Sequence, residues 1–170
     1  AKYDGDGYVI RGLTVTGSNN NASLLGFVSG GAVIENIHIR DANVTGGLNV
    51  GILVGIISDG GGATGGATIR NCSTGGMVSG TARVGGMIGA VQHDDAVIRE
   101  SFSTADVAAD PANSSQRGAA GGLAGFVLSG LVENCYASGQ VTAGRYTGGF
   151  AGEMQGGTAR YCYANVPVAG

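Results

Sequence analysis

Tryptophan is absent from the 170 residues, proline occurs twice, and only 12% of positions are charged, about half the ~25% usual for a globular chain. The scarcity of proline excludes a collagen-like triple helix, although glycine reaches 35 residues. Nine basic residues against 12 acidic ones leave a net charge of −3, so the chain lacks the basic surface that a nucleic-acid partner requires. No long apolar run is present: the best, VGILVGII over 50–57, falls far short of the ~20 residues of a membrane span. The three cysteines, Cys72, Cys135 and Cys162, show neither CxxC nor Cys/His spacing, which removes the usual zinc sites. The chain opens on AKYDGDGY, without the basic start and apolar run of a signal peptide, and closes on VPVAG without a polar cap. We therefore expect a segment of a longer protein.

What is abundant points to strands. Valine and isoleucine number 27 against eight leucines, and branching at Cβ favours extended backbone. The sequence also repeats. A glycine block recurs as Gly51-Ile52-Leu53-Val54-Gly55, Gly85-Gly86-Met87-Ile88-Gly89, Gly121-Gly122-Leu123-Ala124-Gly125 and Gly148-Gly149-Phe150-Ala151-Gly152, with a looser copy at 23–28. A second block follows each: Ile34-Glu35-Asn36-Ile37, Ile69-Arg70-Asn71-Cys72, Ile98-Arg99-Glu100-Ser101, Val132-Glu133-Asn134-Cys135 and Ala159-Arg160-Tyr161-Cys162. A leading copy is expected at Ile10-Arg11-Gly12-Leu13. A valine then recurs at 44, 78, 107, 141 and 168.

Units this short cannot bury an apolar face alone and must stack. The expected fold is all-β: a parallel β-solenoid of about five to six rungs with about three short strands per rung. We expect one domain over 1–170, with repeats at about 8–22, 23–50, 51–84, 85–120, 121–147 and 148–170. Alternation along the second block should turn the isoleucine and cysteine columns inward and the charged column, Arg11, Glu35, Arg70, Arg99, Glu133 and Arg160, outward. Its signs mostly alternate from rung to rung, which favours correct register. The block glycines are expected at corners needing positive φ or close backbone approach. Asn36, Asn71 and Asn134 are candidates for either a stacked amide ladder or plain turns.

The stretch GGLAG followed by LVENCYASGQVTAG, 121–144, resembles the GLUG repeat of bacterial surface and secreted proteins. That resemblance implies an adhesin-like extracellular module and supplies no catalytic residues. The resulting expectation is a non-catalytic structural or adhesive unit, a spacer, stalk or filament element at the cell surface or outside the cell, without cofactor or metal. The alternative is a carbohydrate-binding or carbohydrate-active domain. Possible partners are a further copy stacked end to end and a surface glycan or protein.

Candidate chemistry is sparse. Phe102, Tyr136 and Tyr163 fall on one outward column, shared with His38, and could offer ring faces to a sugar. Asp4-Gly5-Asp6-Gly7 has part of a calcium loop's spacing but lacks its remaining ligands, so a turn is expected. His93-Asp94-Asp95 is read as a polar connection. The carboxylates Asp41, Asp59, Asp106 and Asp110 are scattered through turns, whereas a glycosidase needs two facing each other. Cys135 and Cys162 sit on adjacent rungs and are expected as buried thiols. The excursions Gly60–Gly66 and Ala108–Ala120 are the loops best suited to recognition.

Overall fold

In a computed structural model, which describes residues 1–60, 62, 64–110, 118–143 and 145–169, the chain is a parallel β-solenoid. The two expected recognition loops fall partly outside the described residues, at 61, 63 and 111–117. No helix occurs among the described residues. Three six-stranded sheets supply six rungs of three strands. The first stacks Lys2–Asp4, Val33–Glu35, Thr68–Arg70, Val97–Arg99, Leu131–Glu133 and Thr158–Arg160. The second runs from Val9–Arg11 to Tyr163–Asn165, and the third from Thr14–Val15 to Val168–Ala169. The glycine block adds two further sheets. One has four strands, Leu48–Gly51 to Tyr146–Gly148, and the other five, Leu25–Val28 to Ala151–Met154.

Register follows the repeat. Ile34, Ile69, Ile98, Val132 and Ala159 pair successively, and the valine column is continuous from Val15 to Val168. Small aliphatic side chains fill the interior, with Ile37, Ile39, Ile69, Ile98, Met87 and Leu123 among those fully buried. Removing this surface from water is the main stabilising term, about 25 cal/mol per Å² of apolar area.

The leading copy is corrected by one strand. Tyr3, not Ile10, lies beside Ile34, and Asp4 lies beside Glu35; Ile10 pairs with Ile39 on the next sheet. Either Tyr-Asp or Ile-Arg satisfies the in/out alternation, and the ladder decides between them: the Gly5 N–H donates to the Glu35 carbonyl at 2.9 Å, and the Gly12 N–H to the Arg40 carbonyl at 3.1 Å.

The role of the block glycines is also narrower than expected. Gly51, Gly85, Gly121 and Gly125 are not among the residues with positive φ. Their need is close approach: a Cβ at Gly85 would lie 2.0 Å from the Ile88 carbonyl oxygen and 2.6 Å from the Gly125 nitrogen. Positive φ belongs instead to the corner after the charged column, with Asn36 at 55°, Asn71 at 50°, Glu100 at 52°, Asn134 at 51° and Tyr161 at 54°. Asparagine tolerates this region better than most residues. The amides also ladder where they are adjacent: Asn71 Nδ2 donates to Asn36 Oδ1 at 2.7 Å, and Asn36 Nδ2 to Asp4 Oδ1 at 2.9 Å. Both expected roles therefore operate, and Glu100 ends the ladder.

Candidate functional site

The outer face of the second sheet carries the aromatic column. Register places His38, Ser73, Phe102, Tyr136 and Tyr163 at one position in successive rungs. The rings of Phe102 and Tyr136 stack with centroids 4.6 Å apart and planes 4° from parallel, and Tyr136 and Tyr163 are 5.2 Å and 8° apart. The rung spacing of ~4.8 Å imposes this stacking. It has a direct consequence for recognition: both faces of Tyr136 are occupied by neighbouring rings, so the column shows mainly ring edges to solvent.

On the other side of Phe102 the small side chain of Ser73 leaves room that Arg40 fills. Arg40 Nη1 donates to Ser73 Oγ at 3.1 Å and to the Ile39 carbonyl at 3.1 Å, with its guanidinium carbon 5.8 Å from the Phe102 ring centroid. His38 Nδ1 lies 2.8 Å from Ser73 Oγ. Tyr163, 62% exposed, is the one ring of the three with a face not taken by another member of the column. Arg40 was absent from the candidate residues, although its spacing of two from His38 puts it on the same face.

Several of the remaining polar candidates are held by structural bonds. Asp4 Oδ1 accepts from Asn36 Nδ2 and from the Asp6 backbone N–H at 3.0 Å, and Lys2 Nζ lies 3.1 Å from Asp4 Oδ2. These donors, the Asn36 amide foremost, hold the Asp4 carboxyl well below the usual carboxylate range. His93 Nδ1 accepts from the Asp95 N–H at 3.1 Å, closing the local turn. Asp41 pairs with Arg11 at 3.3 Å, and Asp106 Oδ1 accepts from the Gln140 N–H at 3.0 Å. Among the described residues no group of three or more His, Cys, Asp or Glu side chains is arranged to hold a metal ion.

The charged column departs from expectation at one end. Glu35 is buried, its side chain only 4% exposed beneath Lys2 Nζ at 2.7 Å and Arg70. Glu133 is bridged by Arg160 through Nε at 2.8 Å and Nη2 at 2.7 Å. The arginines, at 43% and 54% side-chain exposure, reach over the carboxylates with their heads in water, as long cationic stems permit. Arg70 beside Arg99 is the like-charged step.

Cys72, Cys135 and Cys162 are free thiols. Each Sγ lies 3.2 Å from the carbonyl two residues back, that of Arg70, Glu133 and Arg160 respectively. Ser101 makes the same bond to the Arg99 carbonyl at 2.7 Å. The column thus supplies a donor that closes the corner formed by the intervening positive-φ residue. Burial pushes the Cys72 thiol up to about 11 and the Cys135 thiol up to about 12. A raised folded pKa means that the protonated thiol favours the fold; this contribution is complete below the ordinary value of 9.0 and is lost as pH rises to between about 11 and about 12. At pH 8 an alkylating reagent should modify half-buried Cys162 in the native protein and all three thiols after denaturation, as read by intact mass. Rapid native labelling of Cys72 would contradict this packing. Ser at position 135 should be tolerated better than Ala, because it keeps the corner bond.

Residues 116–142 match the family model described as the GLUG motif. Halomucin from Haloquadratum walsbyi (strain DSM 16790 / HBSQ001) is 38% identical over 90 residues, covering 52% of this chain and 1% of halomucin. The chain thus spans a very small part of that relative. Among solved structures, a Bacteroides ovatus protein provisionally named an immunoglobulin A1 protease superposes with a TM-score of 0.67 at 20% identity, over 97% of this chain and 61% of that one. At that identity the likeness speaks for the fold alone. The matched segment overlaps the 121–144 stretch that resembles the repeat, and the chain is a parallel β-solenoid bearing the GLUG motif.

Proposed function

We propose that this chain is a non-catalytic structural module of an extracellular or cell-surface protein, acting as a rigid spacer or stalk. The observation that carries the reading is the uninterrupted register of six rungs, in which outward polar and aromatic side chains bond to their own neighbours along the stack. Six rungs at ~4.8 Å give a rod roughly 25–30 Å long, and further coils of the same kind would lengthen it without a new core. The GLUG match and the halomucin similarity support a structural repeat. Stability in such a stack is a sum of neighbouring contacts, which suits a load-bearing element.

The test is surface proteolysis of intact cells making the full-length protein. Peptides from this segment should be released before lysis, and the purified protein should cleave neither an immunoglobulin nor a panel of polysaccharides. Cleavage that depends on side chains of this segment would overturn the reading. A carbohydrate-binding role would have to use the open face of Tyr163, since both faces of Tyr136 are taken by neighbouring rings.

A further inference from the structure

Three of the described asparagines stand in an Asn-x-Ser/Thr pattern: Asn21-Ala22-Ser23, Asn43-Val44-Thr45 and Asn71-Cys72-Ser73. A fourth, Asn113-Ser114-Ser115, lies outside the described residues. The pattern is the acceptor for N-linked sugar, and the fold separates the three. Asn21 is half-buried with φ of 60°, and its Oδ1 accepts from Asn49 Nδ2 at 2.9 Å. Asn71 has φ of 50° and commits its Nδ2 to Asn36 Oδ1, so a sugar there would crowd the amide ladder. Asn43 differs on each count. It is exposed on the outer face of Ala42–Thr45, between buried Ala42 and Val44, in backbone without positive φ. Its side-chain amide makes no hydrogen bond among the described residues. In its column it lies between Thr14 and Met77, with a rung on either side, so its exposure owes nothing to where the chain begins or ends.

We propose that Asn43 carries an N-linked oligosaccharide whose first sugar rests in the shallow depression beside it; the proposal rests on the extracellular placement given above. That depression, of about 350 Å³, is bordered by Asn43, Met77, Ser79, Asp106 and Thr142. Met77 is 58% exposed, and its flexible thioether offers apolar surface to the C–H face of a pyranose. The Ser79, Asp106 and Thr142 side chains supply hydrogen-bonding groups for the hydroxyls. In the finished coil the Asn43 N–H donates to the Leu13 carbonyl at 2.8 Å, and the Thr45 hydroxyl lies 3.1 Å from Ser79 Oγ. Both groups of the acceptor pattern are thus tied into the stack, so transfer precedes closure of this coil. The donor is an oligosaccharide carried on a polyprenyl phosphate. Asn43 Nδ2 bonds to the anomeric carbon, the bond from that carbon to the phosphate oxygen breaks, the phosphate leaves with the electron pair, and Nδ2 gives up one proton. The outward side chain then holds the sugar clear of the core while the coil closes.

The experiment is peptide mass spectrometry of the full-length protein taken from its own cells. Cleavage after arginine yields 12–40, 41–70 and 71–83, which hold Asn21, Asn43 and Asn71 on separate peptides. Peptide 41–70 should be heavier by whole sugar residues, located to Asn43 by fragmentation that keeps the side-chain bond intact, while 12–40 and 71–83 have their bare masses. Asn43→Gln and Thr45→Val should each abolish the added mass, and Thr45→Ser should retain it, because the acceptor pattern needs the hydroxyl and not the methyl group. Circular dichroism like that of the parent shows that the variants still fold, and a structural role for Thr45 alone would leave the sugar in place in Thr45→Val. A bare 41–70 peptide, or sugar on 12–40 or 71–83 in its place, overturns the proposal. Surface proteolysis separates this failure from that of the reading beneath it: bare peptides released from intact cells sink the sugar alone, whereas peptides released only after lysis sink the extracellular placement as well.

Discussion

Gly125→Val is expected to unfold the coils around it, at a cost of at least ~4 kcal/mol. A Cβ at Gly125 would lie 2.3 Å from the Arg83 carbonyl carbon, 2.5 Å from the Val84 nitrogen and 2.8 Å from the Arg83 oxygen. All three atoms are backbone of the preceding coil, so no rotamer change relieves the clash, and the two glycine-block sheets would have to part. The informative control is Gly12→Ala. Gly12 has φ of 66° and nothing within 4 Å of its virtual Cβ, so alanine there meets only the left-handed backbone penalty of about 1–2 kcal/mol. Chemical denaturation of both variants measures the difference. Comparable losses would show that conformational freedom, and not backbone proximity, fixes the block glycines.

The second large effect is expected for Ile98→Asp. Ile98 is fully buried between Ile69 and Val132 of the flanking rungs, and an unpaired carboxylate there faces a desolvation cost of several kcal/mol. The adjoining Val97, half-buried on the opposite side of the same strand between Thr68 and Leu131, should accept aspartate with a loss of about 1 kcal/mol or less. Such a contrast between consecutive residues is the signature of period-two alternation. Equal losses at 97 and 98 would contradict it.

Much of this architecture was legible because like residues recur at like positions. The isoleucine, valine and cysteine columns required only alignment of the repeats, and each holds in the fold. The first rung did not yield to the same method, since Lys2-Tyr3 shares no side-chain type with Val33-Ile34 and only the carboxylates of Asp4 and Glu35 match. Its position is set by the backbone ladder, where the Gly5 N–H donates to the Glu35 carbonyl, although Gly12, with φ of 66°, matches the positive φ of Asn36 and Gly5 does not. The split of the glycine block into two sheets was hidden for a related reason. Glycine permits both positive φ and close packing, and composition cannot say which one a position uses.

The aromatic column shows the same limit at the candidate site. Register alone placed Phe102, Tyr136 and Tyr163 together, and it could not reveal how the rings would tilt. Face-to-face stacking makes the rings a side-chain ladder, closed at one end by Arg40 and Ser73 and leaving a face of Tyr163 open at the other. Glu35 departs from the outward column for an equally local reason: Lys2 and Arg70 converge on it and cover it. Neither arrangement follows from spacing. Both follow from which neighbour happens to be long, charged or small in the next rung.

The most direct measurement is of inter-strand nuclear Overhauser contacts along one inward column, in protein labelled for backbone amides. Contacts linking Ile69 to Ile98 and Ile98 to Val132, in the staggered amide-to-α-proton pattern of parallel strands, are the predicted result. Antiparallel α-proton pairs, or contacts from Ile98 to residues out of phase with the repeat, would contradict the stacked solenoid.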